Sequence, residues 1–92
     1  LHPLILYDAN NAAEAEQAEQ AGAEILELCV ASGGCLTGEH GVGIEKRDLM
    51  RVQFTETDLM LQMRIKTVFD PKWLLNPAKV FPLDGREAAQ AA

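Results

Sequence analysis

Gly33-Gly34-Cys35-Leu36-Thr37-Gly38-Glu39-His40-Gly41-Val42-Gly43-Ile44 divides the chain between two stretches rich in helix formers. Five glycines fall within residues 33–43 and bracket a single Glu-His pair. Glycine weakens regular elements and suits positions that need a positive φ or a close backbone approach to a ligand. The segment therefore reads as a helix stop followed by a loop. The same loop places a carboxylate beside an imidazole, which can serve as a metal ligand, a general base or both.

Upstream, Asn11-Ala12-Ala13-Glu14 has the spacing of a capping box, with Asn11 as N-cap and Glu14 reaching back. The residues that follow predict a helix to about Ser32, stopped by Gly33-Gly34. Ala21, Ile25, Leu28 and Cys29 lie on one face, with Leu26 and Val30 beside it, so the C-terminal half is the expected buried half. Before this helix, Pro3-Leu4-Ile5-Leu6-Tyr7 reads as one short strand ending in the turn formers Asp8-Ala9-Asn10-Asn11, with no partner strand in the remaining sequence. Leu1-His2-Pro3 contains no initiating Met, and the chain reads as part of something longer.

Downstream, Glu45–Met50 suggests a short helical turn or loop. Thr55-Glu56-Thr57-Asp58 opens a second long helix, with Thr55 as cap and Asp58 at the reciprocal position. Leu59, Met60, Leu61, Met63, Ile65, Val68 and Phe69 cover more than one stripe of it, the pattern of a helix packed on two sides. Asp70-Pro71 ends it, because proline disfavours αR in the residue before it. Trp73-Leu74-Leu75 is an apolar turn, and residues 76–82, with two prolines, are expected to run extended. Residues 84–92 are expected to fray. The fold class is mainly α: a helical C-terminal piece of an α+β domain with one short N-terminal strand.

Ninety-two residues suffice for one domain at most. Much of the 48% hydrophobic content is alanine and only 5% of residues are aromatic, which predicts a thin core. A net charge of −6 disfavours nucleic acid or an anionic membrane as partner. No apolar run is long enough to span a bilayer and no signal-peptide layout is present, so the expected location is the cytoplasm. Cys29 and Cys35 are the only cysteines and read as free thiols.

Glu39-His40 is the leading candidate site, because Gly38, Gly41 and Gly43 strip side chains from around it. His2 beside Pro3 is the second candidate. Together with Glu39 and His40 it would supply two nitrogens and one oxygen to a divalent ion, if the three converge. Lys46-Arg47 could neutralise a substrate carboxylate or simply be solvated surface. Lys79 lies in a tail suited to docking on another surface.

Gly38-Glu39-His40-Gly41-Val42-Gly43, followed by Asp70-Pro71-Lys72-Trp73-Leu74-Leu75-Asn76-Pro77-Ala78-Lys79-Val80-Phe81-Pro82, resembles the C-terminal end of the FAD-linked oxidases and dehydrogenases of the vanillyl-alcohol-oxidase type. The resemblance covers residues 1 to about 83 and is nearest to flavin-dependent 2-hydroxy-acid dehydrogenases of the glycolate and D-lactate type. It implies that residues 1–83 are the C-terminal part of a substrate (cap) domain and its tail, and that the strand joins an antiparallel sheet. It implies His40 as the base that takes the hydroxyl proton, and His2 and Glu39 as part of a divalent metal site, Zn or Mn, that this chain does not complete. Asn76 and Lys79 match a tail near the flavin. Trp73 and Ala78 stand where such proteins often have glycine.

The cofactor implied is FAD, bound by a domain absent from this chain, so the chain alone is expected to bind no flavin and to be inactive. Implied partners are a small 2-hydroxy acid, the FAD-binding domain and other oxidase subunits, including an iron-sulfur subunit, through which it would reach the inner face of a membrane. Self-association of the chain is also expected, from its unpartnered strand and two-sided helix. The contrasting reading is a helical interaction module whose glycine loop is only a hinge.

Overall fold

The backbone amides of Ala13 and Glu14 both donate to the Asn11 side chain, at 3.1 and 3.3 Å, and there the first helix begins. In the computed structural model, which describes residues 2–85, this helix (α1) spans Ala12–Ala31. Glu14 reaches back further than the capping box requires: its Oε2 accepts from the amide of Asp8 at 3.0 Å, and the amide of Asn11 instead donates to the Asp8 carbonyl. At the other end, Gly33 N–H donates to the Val30 carbonyl and Gly34 N–H to the Cys29 carbonyl. That is a Schellman cap, and Gly33 occupies its left-handed position at φ 90°.

After the glycine loop, a 3-10 turn at Arg47–Leu49 runs into a single turn of helix (α2) at Met50–Gln53. Helix α3 spans Glu56–Phe69. Its capping box is complete: Asp58 N–H donates to the Thr55 hydroxyl and Thr55 N–H to the Asp58 carboxylate, both at 3.1 Å. Asp70, immediately before Pro71, is its C-cap. Both ends of α3 thus lie where local chemistry placed them.

Leu36, Met50, Leu59, Met63 and Trp73 form the buried core, with Leu26, Val30, Val42, Leu49, Phe54, Val80 and Phe81 packed around it. Leu59 and Met63 lie one helical turn apart, so α3 offers a single inward stripe. The core is as thin as the composition implies. The radius of gyration of 14.9 Å exceeds the roughly 12 Å of a compact chain of this length.

Four sequence expectations change. The segment 3–7 is not a strand, and no strand occurs among the described residues, because a strand needs a neighbour to complete its ladder. It retains a strand's alternation nonetheless: Leu4 and Leu6 are exposed, while Ile5 and Tyr7 are half-covered, with Ile5 lying over Gly22 of α1. On α1 itself, Leu26 and Val30 face the core, whereas Leu28 and Cys29 point outward. Helix α3 is covered on one side only; Leu61, Ile65, Val68 and Phe69 are exposed.

The fourth change concerns residues 76–82, which do not run extended. Trp73, Asn76, Ala78 and Val80 all have positive φ, at 54°, 46°, 61° and 73°. Phe81 N–H donates to the Lys79 carbonyl at 2.9 Å across Val80, the hydrogen bond of a γ-turn whose central φ is on the strained side. Leu83–Gly85 is a further 3-10 turn, tied down through Asp84, whose carboxylate accepts from Arg51 at 2.6 Å. The expected fraying of residues 86–92 lies outside the described residues.

Candidate active site

The glycine loop leaves the core at Leu36 and returns to it at Val42. Leu36 is 2% exposed, and its amide donates to the Gln53 side chain at 2.9 Å. Val42 packs against the core, and the next carbonyl, that of Gly43, accepts from Val80 N–H at 2.8 Å. Between these anchors the chain stands out into solvent, and Gly41 turns it at φ 88°. A side chain at that φ would be strained, so the glycine there is a backbone requirement.

At the crest, three singled-out residues meet. Glu39 Oε1 lies 3.4 Å from His40 Nε2 and 3.7 Å from His2 Nδ1. These separations exceed the 2.7–2.9 Å or so of a tight charge-assisted hydrogen bond. All three side chains are more than half exposed. His40 is therefore an accessible imidazole with a loosely associated carboxylate, able to accept a proton from a bound molecule. The juxtaposition of His2 with the pair, 37 positions away from Glu39 (39 − 2), joins the N-terminal segment to the loop.

As a metal site the trio falls short. Among the described residues no three His, Cys, Asp or Glu side chains are arranged to hold an ion. Both imidazoles approach the same carboxylate oxygen. The donor chemistry suits a divalent ion, but the arrangement does not form a ligand set.

Asn76 and Lys79 line a cleft of about 100 Å³ together with Lys66, Trp73 and Phe81. Ligand pockets measure about 300–1,000 Å³, and this cleft is smaller.

Arg47 is not the solvated charge the sequence allowed. Its side chain is 16% exposed, and Nη1 donates to the Ala78 carbonyl at 2.7 Å. It clamps the tail to the base of the loop, a role consistent with a planar multi-donor guanidinium. Asp70 is a second clamp. Its buried carboxylate accepts from Lys66 Nζ at 2.8 Å and from the amides of Leu74 and Leu75 at 3.0 Å each. The ammonium of Lys66 holds this carboxyl below its ordinary range, with the two amides acting in the same direction. Lys66 also sits 5.2 Å from the centre of the Trp73 ring, whose indole N–H donates to Thr67.

Thr37, Gln53, Arg47 and Asp70 shape the site yet were not identified as such from sequence. Asp70 carried a signal in its place before Pro71, and Arg47 was singled out only as a charge for a substrate carboxylate or as solvated surface. The other contacts join residues distant in the chain or, for Thr37, depend on the turn actually adopted.

The profile of the family described as FAD linked oxidases, C-terminal domain, matches residues 1–80. The chain belongs to this family. As a C-terminal domain of an FAD linked oxidase, it is 49% identical over 82 residues to "Glycolate oxidase subunit GlcD" of Escherichia coli (strain K12), a match that covers 89% of this chain and 16% of that protein. It is 40% identical over 91 residues to the protein of the same name from Bacillus subtilis (strain 168), covering 99% of this chain and 19% of that one. It is 35% identical over 83 residues to "D-lactate dehydrogenase [cytochrome], mitochondrial" of Kluyveromyces lactis, covering 90% and 14%. The FAD linked oxidase domain thus spans less than a fifth of the length of these relatives. No solved structure matches it. Among the described residues no helix is long and apolar enough to cross a membrane.

Proposed function

We propose that this chain is the C-terminal, base-bearing part of a flavin-dependent dehydrogenase of a small 2-hydroxy acid, of the glycolate or D-lactate type. The observation that carries the reading is the exposed Glu39–His40 contact at the crest of the glycine loop, in a chain of the FAD linked oxidase family.

Oxidising a 2-hydroxy acid removes a hydride from the carbinol carbon and a proton from its hydroxyl. Flavin, bound elsewhere in such an enzyme, supplies the hydride acceptor. His40 supplies the proton acceptor through Nε2, because imidazole is the side chain suited to that exchange near neutral pH. Glu39, whose carboxylate lies 3.4 Å from that nitrogen, offsets the positive charge the ring acquires. Gly38 and Gly41 leave room for the substrate to approach. Asn76 and Lys79 are proposed to lie at the edge of the flavin site, and Lys79 has the charge to face an anionic group.

We retain His2 and Glu39 as candidate donors to a divalent ion, Zn or Mn, with no step assigned to it. Further subunits, an iron-sulfur subunit among them, are proposed partners for onward electron transfer, and membrane association would come through them. The deciding experiment is His40→Ala in the full-length, FAD-loaded enzyme. A kcat loss of about 10²–10⁴-fold is expected for removal of a general base. An unchanged kcat in a folded, flavin-replete variant would remove His40 from the mechanism.

A further inference from the structure

An exposed base is useful only if its loop holds it in one place, and this loop has little to hold it. Among the described residues the backbone groups of Gly38 and Glu39, and the amide of His40, make no hydrogen bond. One bond crosses the crest: Gly41 N–H donates to the Thr37 hydroxyl at 2.8 Å. That amide belongs to the peptide plane joining His40 to Gly41. Holding that plane narrows ψ of His40, and with it the directions in which the imidazole can leave the backbone.

The anchor is firm at its own root. Thr37 is half-buried and follows Leu36, which is sealed in the core and bonded to Gln53. Gly41, at φ 88°, turns the chain back toward that anchor.

We propose that Thr37 is a positioning residue for His40, its hydroxyl closing the turn that aims the imidazole at the substrate hydroxyl. The inference rests on the reading of His40 as the base. Thr37 touches no reacting atom; it acts through the His40–Gly41 peptide.

The test is a double-mutant cycle in the full-length, FAD-loaded enzyme, using Thr37→Val, Thr37→Ser and His40→Ala. Thr37→Val keeps the shape of the side chain and removes the acceptor. It is expected to lower kcat by about 10–100-fold, the range for misplacing a catalytic group by about an ångström, with KM changed less than about 2-fold. Thr37→Ser restores the hydroxyl and is expected to recover kcat to within about 3-fold of the parent. In the His40→Ala background the Thr37→Val loss is expected to vanish, because there is no imidazole left to aim. A merely structural threonine would give the same fold-loss in both backgrounds.

Thr37→Val with parental kcat, or with an equal loss in both backgrounds, overturns the role of Thr37 and leaves His40 as the base. Full kcat in His40→Ala alone overturns the base assignment, and this inference with it. Should Thr37→Val fail to retain flavin, Thr37→Ala removes the same hydroxyl and is judged by the same ratios.

Discussion

Replacing Ala78 and Trp73 by glycine should move stability in opposite directions, although both residues have the same backbone problem. Each sits at positive φ, 61° for Ala78 and 54° for Trp73. An L-residue in that region is disfavoured by roughly 1–2 kcal/mol. For Ala78 this is nearly the whole account. Its side chain is exposed, and its one structural contribution, the carbonyl that accepts from Arg47, survives the change. Against the relief stands the extra freedom glycine gives the unfolded chain, about 0.4–1 kcal/mol. Ala78→Gly should therefore stabilise by about 0.5–1 kcal/mol, or about 2–8 °C in Tm for a domain of this size.

Trp73→Gly gains the same relief and loses far more. The ring is 7% exposed, packs 6.0 Å from Phe81 between centroids, lies by Lys66 and donates to Thr67. Deleting a buried aromatic costs about 3–5 kcal/mol, leaving a net loss of about 2–4 kcal/mol. Urea unfolding followed by far-UV circular dichroism measures both. Fluorescence is unsuitable, since Trp73 is the only tryptophan and one variant lacks it. A lower midpoint for Ala78→Gly, at unchanged m-value, would refute the left-handed turn at Ala78. Stabilisation by Trp73→Gly would show that the ring is not part of the core.

Acid should loosen the turn that Asp70 holds after α3. The Asp70 carboxyl is held below its ordinary range by Lys66, so its contribution is complete above about pH 4 and is lost as pH falls through the lower folded value. Asp70→Asn should flatten that part of the stability–pH profile; a profile identical to the parent's would exclude Asp70 as its source. The isolated 92-residue chain should purify without flavin absorbance and should self-associate through Leu61, Ile65, Val68 and Phe69. A bound-flavin spectrum or a clean monomer by light scattering would contradict the respective half.

What could be read in advance divides along the range of the interactions. Helix ends were legible because Asn11, Thr55, Asp58, Gly33 and Pro71 act on backbone groups within a few residues. The buried face of α1 was not. Leu26 and Val30 compete there with Leu28 and Cys29, and only the position of the core decides between them. The tail misled for a sharper reason. Val80 at φ 73° contradicts the preference of a β-branched residue, and nothing local announces it. It is bonded to Gly43, and the neighbouring Ala78 carbonyl is held by Arg47, both contacts from across the fold. Glu39 and His40 stood out because glycines cleared their surroundings. Thr37 did not, because a threonine in a loop carries no signal until the turn is known.

The bond from Val80 to Gly43 has a consequence for length rather than composition. It makes the span from Ile44 to Lys79 a ring closed at the foot of the glycine loop. One residue added within α3 would rotate everything beyond it by about 100°, and a full turn would push the tail about 5.4 Å along the axis. Either change would carry Val80 away from Gly43, or Leu59 and Met63 out of register with their neighbours. Natural variants of this chain should therefore almost never differ in length between Gly43 and Val80.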